Sequence, residues 1–566
     1  MVRRMEGTHR PAAEYARPAV RLRPTGLPAA MPAVVVLGAV YAVFFFVAMI
    51  TSLAWYDSNY QLRFWPPEAS AYVDSASRVT SLLVASILHV LPTLLLAAVF
   101  GGLAGYFLAL KAPLAVRRWG LFLVVTAWAL TVPRLIATLH LYWQAPASVW
   151  FPWMRFDTPA DLPVLFASAM PPIALGVYSA LRGEFLGLVW PGSPGTRSER
   201  LVTEALPRAT VGIAFGILLA GTFEVLVGLA SETFGGASVP SVARFIEAQV
   251  IFPGGVPQGS AALLIVLGGF MIVFLGFLGL TALLHSASRT AVAQTPRPVP
   301  RQRGLSIASF IVSGISFGFV IVTAFVPIAM AAIFSLNAAN SLWFFEGWSA
   351  RWYVDSPGTF GIGEGLFSLP AYWSSFLRST ALAAIVSGVA APLGVAAAAG
   401  VFRMPQRTRS LVRAFVYVGL IVPVTVFAFV GVFASLVGSS PGYPVVQAEG
   451  FWRAAPAFFA QLPFAIGISF VVAGASGGWR QAAALRAGPY VWIRPIVAAA
   501  LVSFAFLLAT YNPASEFSQM TFVSALVESR RLTPLVDAAL VVLTLTSVLA
   551  LFGAWIAMRR EEMFRF

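Results

Sequence analysis

The chain has 566 residues, of which 59% are hydrophobic and only 10% are charged, and its mean hydropathy is +0.82. Soluble domains carry about 25% charged residues, so the charge here is too sparse to cover a water-facing surface, and lipid must solvate much of the chain. The net charge is +15, and there is no cysteine, which excludes disulfides, thiolate catalysis and cysteine-ligated metals. A basic excess indicates either nucleic-acid binding or the cytoplasmic loops of a membrane protein, and the positions of the charges decide between them.

The chain begins with a basic tail, residues 1–29, that carries six arginines and several prolines without helical periodicity. The apolar run that follows, residues 32–54, is long enough to span a membrane. Ser52-Leu53-Ala54 also resembles a weak signal-peptide cleavage site. We favour a retained first helix over a cleaved signal peptide.

Apolar stretches of about 20 residues recur along the chain, and each can cross a hydrocarbon core about 30 Å thick. They predict an all-α, polytopic membrane protein of about twelve transmembrane helices. The predicted spans cover residues 31–54, 82–109, 119–142, 162–181, 209–230, 259–284, 306–336, 379–401, 414–438, 457–475, 496–512 and 535–558.

Basic residues fall mainly on one side of this topology. With the N-terminus inside and the spans alternating, 27 of the 37 basic residues lie in inside segments, while acids such as Asp57, Glu68 and Glu346 lie outside. This asymmetry follows the positive-inside rule, so the basic charge is topological and argues against a nucleic-acid partner. It predicts a multi-pass protein of the inner (plasma) membrane with both termini cytoplasmic.

The two halves of the chain share landmarks. Ser52-Leu53 ends the first predicted span of one half, and Ser335-Leu336 ends that of the other, 283 residues later. Val132-Pro133 and Val422-Pro423 lie in the third and ninth spans, 290 residues apart. These offsets predict a duplicated six-helix unit whose two copies lie parallel in the membrane. The predicted organisation is a basic cytoplasmic tail (1–29), a first six-helix repeat (30–284), a Pro- and Arg-rich cytoplasmic linker (285–304), a second six-helix repeat (305–558) and a cytoplasmic tail (559–566).

Catalytic motifs are missing from the sequence. A Walker A loop needs a lysine that reaches the phosphates, and the single lysine, Lys111, lies in the unrelated context ALKAPL. The chain therefore cannot hydrolyse ATP through a P-loop. No nucleophile elbow or paired carboxylates stand out, so we expect no enzyme activity, no catalytic residues and no cofactor in this chain. Four histidines lack the spacing of a metal site, and we expect no metal: His9, His89, His140 and His285.

Two predicted cytoplasmic loops, residues 179–213 and 477–504, differ from the others. Each places glycine and small residues beside arginine, ahead of a short amphipathic stretch. A short helix parallel to the membrane would present these arginines to a cytosolic partner. A plain basic loop would follow from the positive-inside rule alone, and charge does not separate the two possibilities.

These loops resemble the E-A-A-x3-G loop of permease subunits of binding-protein-dependent ABC importers, the loop that docks in the ATPase subunit. In the second half Gln481-Ala482-Ala483 resembles the E-A-A triplet, with Gln in place of Glu and with the glycine displaced by one position. In the first half Leu206-Pro207 resembles the Leu-Pro ending, but Leu188-Val189-Trp190 stands where E-A-A is expected. The resemblance, with the neighbouring arginines, implies these docking residues: Gly195, Arg200, Leu201, Leu206, Pro207, Gln481, Ala482, Ala483, Arg486, Ala487 and Gly488.

Longer segments are similar to the same family. Residues 347–436 are similar to the opening of spermidine/putrescine-type permeases, and residues 232–284 resemble the end of the first half of fused thiamine- and ferric-iron-type permeases. The resemblance covers most of residues 30–560 and implies a two-repeat permease that forms the solute path and works by alternating access. It also implies a dimer of ABC ATP-binding subunits, which use the ATP, an extracytoplasmic solute-binding protein and a small solute (a polyamine, thiamine, ferric iron or another).

Two ionisable residues lie inside predicted spans, Arg134 in the third and Glu224 in the fifth. Each is 16 positions from its cytoplasmic entry, which is about 24 Å along a straight helix. An unpaired charge at mid-helix costs on the order of 3 kcal/mol. Two hypotheses stay open. Both residues face the central path as an ion pair or as solute contacts, or they form a structural salt bridge or snorkel to the interface, and we slightly favour the second.

Three interpretations compete with the permease assignment or with part of it. The predicted outer loops 55–79 and 337–374 are rich in aromatic residues, which suits either an interfacial belt or contact with a solute-binding protein. An ion-coupled secondary transporter is the alternative function, but that class usually has several membrane-buried acids, and only Glu224 and Asp537 qualify. A membrane-embedded enzyme is disfavoured because no catalytic constellation is present.

Overall fold

A computed structural model of the chain describes sixteen segments, and the structural statements below refer to these. They are residues 26–56, 62–64, 70–144, 161–182, 184–185, 188–189, 205–235, 245–246, 256–294, 303–339, 346–354, 365–368, 370–422, 461–475, 490–509 and 534–558.

The described part of the protein is almost entirely helical. In the first half the helices are α1 (Gly26–Ser52), α2 (Ser70–Tyr106), α3 (Leu114–Ala129), α4 (Thr131–Gln144), α5 (Asp161–Leu181), α6 (Leu206–Gly235) and α7 (Val256–Gln294). In the second half they are α8 (Arg303–Ser335), α9 (Pro370–Phe402), α10 (Gln406–Ile421), α11 (Leu462–Ala475), α12 (Tyr490–Ala509) and α13 (Pro534–Ala557). A π-helical turn (Phe107–Lys111) extends α2, and a 3-10 turn covers Leu366–Ser368. Two short antiparallel pairs follow α1 and α5: β1 (Ala54–Tyr56) with β2 (Leu62–Phe64), and β3 (Glu184–Phe185) with β4 (Leu188–Val189).

Seven helices of the described part are long and apolar enough to cross a membrane, and α3 with α4 makes an eighth if the bent pair is one span. Their surfaces carry large exposed apolar side chains, among them Phe46, Ile272 and Ile315. Apolar surface on this scale requires lipid as its solvent. The prediction of a polytopic, helical membrane protein is thus confirmed at this level. Helices α5, α6 and α11 contain shorter apolar segments.

Helix α7 extends beyond its predicted span, ten residues into the predicted linker 285–304, and α8 begins within that linker. Residues 286–294 are mostly Ala, Ser and Thr. After Pro257, in the first turn of α7, the next proline is Pro296. With no proline or glycine to stop it, the helix continues. The interval between the two helices is therefore residues 295–302.

A break at Leu130 divides the third predicted span into α3 and α4, which meet at 67°. Pro133 is the cause, because proline has no N–H and its ring clashes with the carbonyl four residues earlier. In the second half α10 ends at Ile421, and Val422 is extended (ψ 121°) immediately before Pro423, as expected for a residue that precedes proline. The first Val-Pro sequence thus lies just after a bend at Leu130, and the second begins where α10 has ended.

The first helix of each half packs against the other half. Helix α1 packs on α9 of the second half, and α8 packs on α2 of the first half. Within each half, α2 packs on α5 and α9 packs on α11. A Cβ on Gly105 of α2 would meet the carbonyl oxygen of Ala174, and a Cβ on Gly394 of α9 would lie 2.7 Å from the carbonyl oxygen of Ile466. Small residues bring these helices into close contact, as is usual in membranes.

The next helix pairs, α5 with α6 and α11 with α12, pack through different residues. At the α5–α6 crossing the backbones meet at Gly176, Gly212 and Gly216, where a Cβ would overlap the opposite main chain. At the α11–α12 crossing the hydroxyls of Ser469 and Ser503 are hydrogen-bonded at 2.9 Å. Both crossings therefore depend on small side chains.

Ring contacts show the relative directions of α2, α3, α8 and α13. Phe107 near the end of α2 contacts Phe310 near the start of α8 at 5.6 Å, and Trp119 near the start of α3 contacts Trp555 near the end of α13 at 4.5 Å. The starts of α3 and α8 thus lie with the ends of α2 and α13. We name this side the proximal face and the opposite side, where α8 ends at Ser335, the distal face.

Candidate functional site

Two buried aromatic contacts join the halves. Trp128 of α3 contacts Phe506 of α12 at 4.8 Å, and Phe215 of α6 contacts Tyr417 of α10 at 5.6 Å. Trp128 and Tyr417 are 289 residues apart, and Phe215 and Phe506 are 291 residues apart. Under the predicted six-helix duplication, Trp128 matches Tyr417 and Phe215 matches Phe506, so the second contact is the counterpart of the first. Aromatic pairs at such distances contribute about 0.5–1.5 kcal/mol beyond their area burial.

Helix α11 adds two more rings. Phe464 contacts Phe506 at 5.8 Å, and Phe470 contacts Tyr417 at 5.8 Å. We name the six rings the central aromatic cluster: Trp128, Phe215, Tyr417, Phe464, Phe470 and Phe506. The six rings form two groups of three, Trp128 with Phe506 and Phe464, and Phe215 with Tyr417 and Phe470, and α11 contributes one ring to each group.

Arg134 lies just past the bend between α3 and α4, and only 1% of its surface is exposed. Helix α4 packs against α8 and also contacts α5, α6 and α13. The guanidinium is therefore inside the bundle, where helices of both halves meet. The 67° bend means that the straight-helix distance assumed from the sequence is wrong for Arg134.

Glu224 lies on α6, but its side chain is outside the part of the chain that the structure describes. Helix α6 contacts α4, so the two helices that carry Glu224 and Arg134 are neighbours. An ion pair or a shared solute contact between these residues stays a prediction.

Asp537 is a second buried ionisable residue, in the first turn of α13 and 1% exposed. Its position near a helix N-terminus favours a carboxylate. It also acts on Tyr353 in the distal loop: burial raises the pKa of Tyr353, a 2.6 Å hydrogen bond with Ser335 lowers it, and the negative charge of Asp537 raises it. Asp537 therefore lies near the distal end of α8.

Gln461 is a candidate site residue that the sequence analysis missed. It directly precedes α11 and is 0% exposed, and neither atom of its side-chain amide has a hydrogen-bond partner among the described residues. Its backbone oxygen accepts the first helical hydrogen bond from Ala465 N–H at 3.0 Å, which makes Gln461 the N-cap. A signal existed in the sequence: AMPPIALG (169–176) matches AQLPFAIG (460–467) at an offset of 291 residues, with Met170 opposite Gln461.

The predicted docking residues are mostly outside the described part, namely Gly195, Arg200, Leu201, Gln481, Ala482, Ala483, Arg486, Ala487 and Gly488. Leu206 and Pro207 are described, and they begin α6, where proline is well tolerated. Leu206 is 62% exposed. Leu188 and Val189, the first two residues where E-A-A is expected, form strand β4 against β3.

The predicted outer loop 337–374 is folded where the structure describes it. The indole N–H of Trp352 donates to the backbone oxygen of Asn337 at 2.7 Å, and the Asn337 side-chain oxygen accepts from the N–H groups of Ala339 and Glu346 at 3.1 Å. Trp352 is buried, whereas Trp348 is 68% exposed. Trp352 thus stabilises the loop from inside, and Trp348 is exposed at the surface.

Within the described residues there is no group of three or more His, Asp or Glu side chains that could hold a metal ion. Comparison of the chain with protein-family models, with curated proteins and with solved structures found no match.

Proposed function

We propose that this chain is the permease subunit of an ABC importer, in which two six-helix repeats form the solute path and a separate ATPase dimer drives alternating access. The observation that carries the proposal is the exchanged pairing of Trp128 with Phe506 and of Tyr417 with Phe215. Two copies of one unit, related by an axis along the membrane normal, give each cross-half contact a counterpart. A path on that axis passes between the third and fifth spans of both halves.

Further packing supports a duplicated unit. Gly105 and Gly394, 289 residues apart, mark the close approach of the second and fourth spans in each half. The exchange of α1 and α8 between the halves also has this symmetry. On this proposal α3 and α4 form one bent span, and α5, α6, α10 and α11 complete a set of twelve with the seven long helices.

The proposal places the proximal face in the cytoplasm, because the arginine-rich segments follow the positive-inside rule on that side. Both termini then lie in the cytoplasm of a cell whose plasma membrane holds the chain. The two docking loops precede α6 and α12, and the exposed Leu206 at the start of α6 is an apolar contact for an ATPase subunit. The distal face, with exposed Trp348, meets the solute-binding protein.

An ion-coupled secondary transporter is the second candidate, and buried Asp537 is the observation that favours it. A membrane-buried acid can carry a proton or bind a cation. In this case the chain would work without an ATPase subunit.

The test is affinity purification of the tagged full chain from its native host in mild detergent, with co-purifying subunits identified by mass spectrometry. We expect a P-loop ATPase in a 2:1 ratio to the chain, and we expect the double variant Arg200→Glu/Arg486→Glu to lose it. Arg407→Glu is the matched control, because Arg407 is an exposed proximal arginine of α10 outside both docking loops. A chain that purifies alone and moves solute in proteoliposomes with only an ion gradient would refute the permease proposal and favour the secondary transporter.

A further inference from the structure

Helix α11 begins at Leu462, directly after the fully buried Gln461. It runs antiparallel to α12, because Phe464 contacts Phe506 while the later Ser469 bonds the earlier Ser503. Since α12 runs alongside α3 toward the distal face, Gln461 lies on the distal side of the central aromatic cluster.

Among the described residues, the start of α11 has more hydrogen-bond donors than acceptors. The first N–H groups of any helix lack an intrahelical acceptor, and here Pro463 at the second position has no N–H, which leaves those of Leu462 and Phe464. An N-cap side chain normally accepts from these groups, but the Gln461 amide makes no hydrogen bond with the described residues. A buried polar group left unsatisfied destabilises the fold, so a bound group that satisfies it is stabilised in turn.

The matching position of the first half lacks this arrangement. Met170 stands opposite Gln461, and it lies in the middle of α5, which begins at Asp161. There is no helix start and no polar side chain at Met170, which is fully buried. The polar site at α11 is therefore a departure from the pattern that the two halves otherwise share.

We propose that Gln461 and the first turn of α11 bind an oxyanion group, a carboxylate or a phosphate, of the transported solute. The donors at a helix start and its dipole favour an anionic acceptor, and the two N–H bonds of the Gln461 amide add to them. Arg134 is a buried basic residue on α4, and α4 also contacts α12. That the anion belongs to a transported solute rests on the proposed function. The anion-binding site itself does not depend on that function.

The test measures thermal unfolding of the purified full chain in lipid nanodiscs, titrated with sodium acetate or with sodium phosphate at ionic strength held constant with chloride. We expect the wild-type Tm to rise and saturate with one of the two anions. Acetate as the effective anion identifies a carboxylate solute, and phosphate identifies a phosphorylated one. Gln461→Met, which installs the residue of the matching position, and Gln461→Glu, which repels an anion, should each weaken the apparent affinity at least about tenfold.

Met170→Leu is the control, because it changes the matching buried position without touching α11, and its titration should equal that of the wild type. Unchanged titrations of both Gln461 variants, or no saturable shift of the wild type with either anion, would overturn the proposal. Because no ATPase is needed, a chain that binds the anion but recruits no ATPase refutes only the permease proposal. A chain that recruits the ATPase but ignores both anions refutes only the site.

Discussion

Replacing Gly394 by alanine should push α9 away from α11. The new Cβ would lie 2.5 Å from Ser469 Cβ, 2.7 Å from the carbonyl oxygen of Ile466 and 2.8 Å from the nitrogen of Phe470, whereas ordinary contacts begin at 3.4 Å. Two of these three atoms are backbone, so the helices must separate by nearly an ångström. Overpacking costs about 1–3 kcal/mol, and the better helix propensity of alanine returns up to about 1 kcal/mol. We expect a net loss of about 1–2 kcal/mol of unfolding free energy.

Gly388→Ala is the matched control, because Gly388 lies on the same helix and a Cβ there has nothing within 4 Å. This variant should keep or slightly raise the stability, since it gains helix propensity without overlap. The measurement is reversible unfolding of the purified chain in mixed micelles, with the two variants compared at equal lipid content. Equal effects of the two substitutions would refute the argument that close helix packing at Gly394 determines the stability of this contact.

Three further outcomes are expected. A protease site inserted within residues 295–302 should give, after cleavage, two fragments that still co-elute in mild detergent, because α1 and α8 each pack on the other half; fragments that separate would contradict this. Asn337→Ala removes the side-chain oxygen that accepts two backbone hydrogen bonds, and it should lower the free energy of unfolding by about 1–3 kcal/mol. Trp348→Ala, at the surface, should change the free energy of unfolding by less than about 0.5 kcal/mol. Burial and Asp537 raise the pKa of Tyr353, so the folded state favours the neutral phenol. The contribution of this preference to the free energy of unfolding is complete below about pH 10 and declines as the pH rises further. The Tm of the wild type should therefore fall more steeply above about pH 10 than that of Tyr353→Phe.

Hydropathy predicted the positions of the helices because a lipid-exposed helix must be apolar over its whole length, and each predicted span overlaps a helix wherever the chain is described. It did not predict the 67° bend at Leu130, although Pro133 was visible, because a proline within a membrane helix can be tolerated. The continuation of α7 to Gln294 was missed for a related reason: the segment is too polar for lipid but has nothing that stops a helix.

The site was harder to predict than the fold. Arg134 was singled out because a charge inside an apolar run is conspicuous; it is buried, and its place on a solute path stays a prediction. Gln461 was overlooked because an uncharged amide at the edge of an apolar run resembles ordinary loop sequence. Its importance depends on where α11 begins and on what surrounds it, and both follow from packing against α10 and α12. The predicted docking residues from Gln481 to Gly488 stay predictions of the sequence.

On the proposed duplication, the matching and the differing positions have different roles. Gly105 and Gly394 match because both halves must hold their second and fourth spans together, whatever solute passes between them. A solute in the path lacks the symmetry of the two halves, so the groups that bind it are free to diverge. The divergence is found where polar residues are buried: Gln461 stands opposite Met170, and Arg134 stands opposite Val424 at the 290-residue offset. Substituting Arg134 or Gln461 should therefore alter solute recognition more than assembly, whereas substituting the matching glycines should do the reverse.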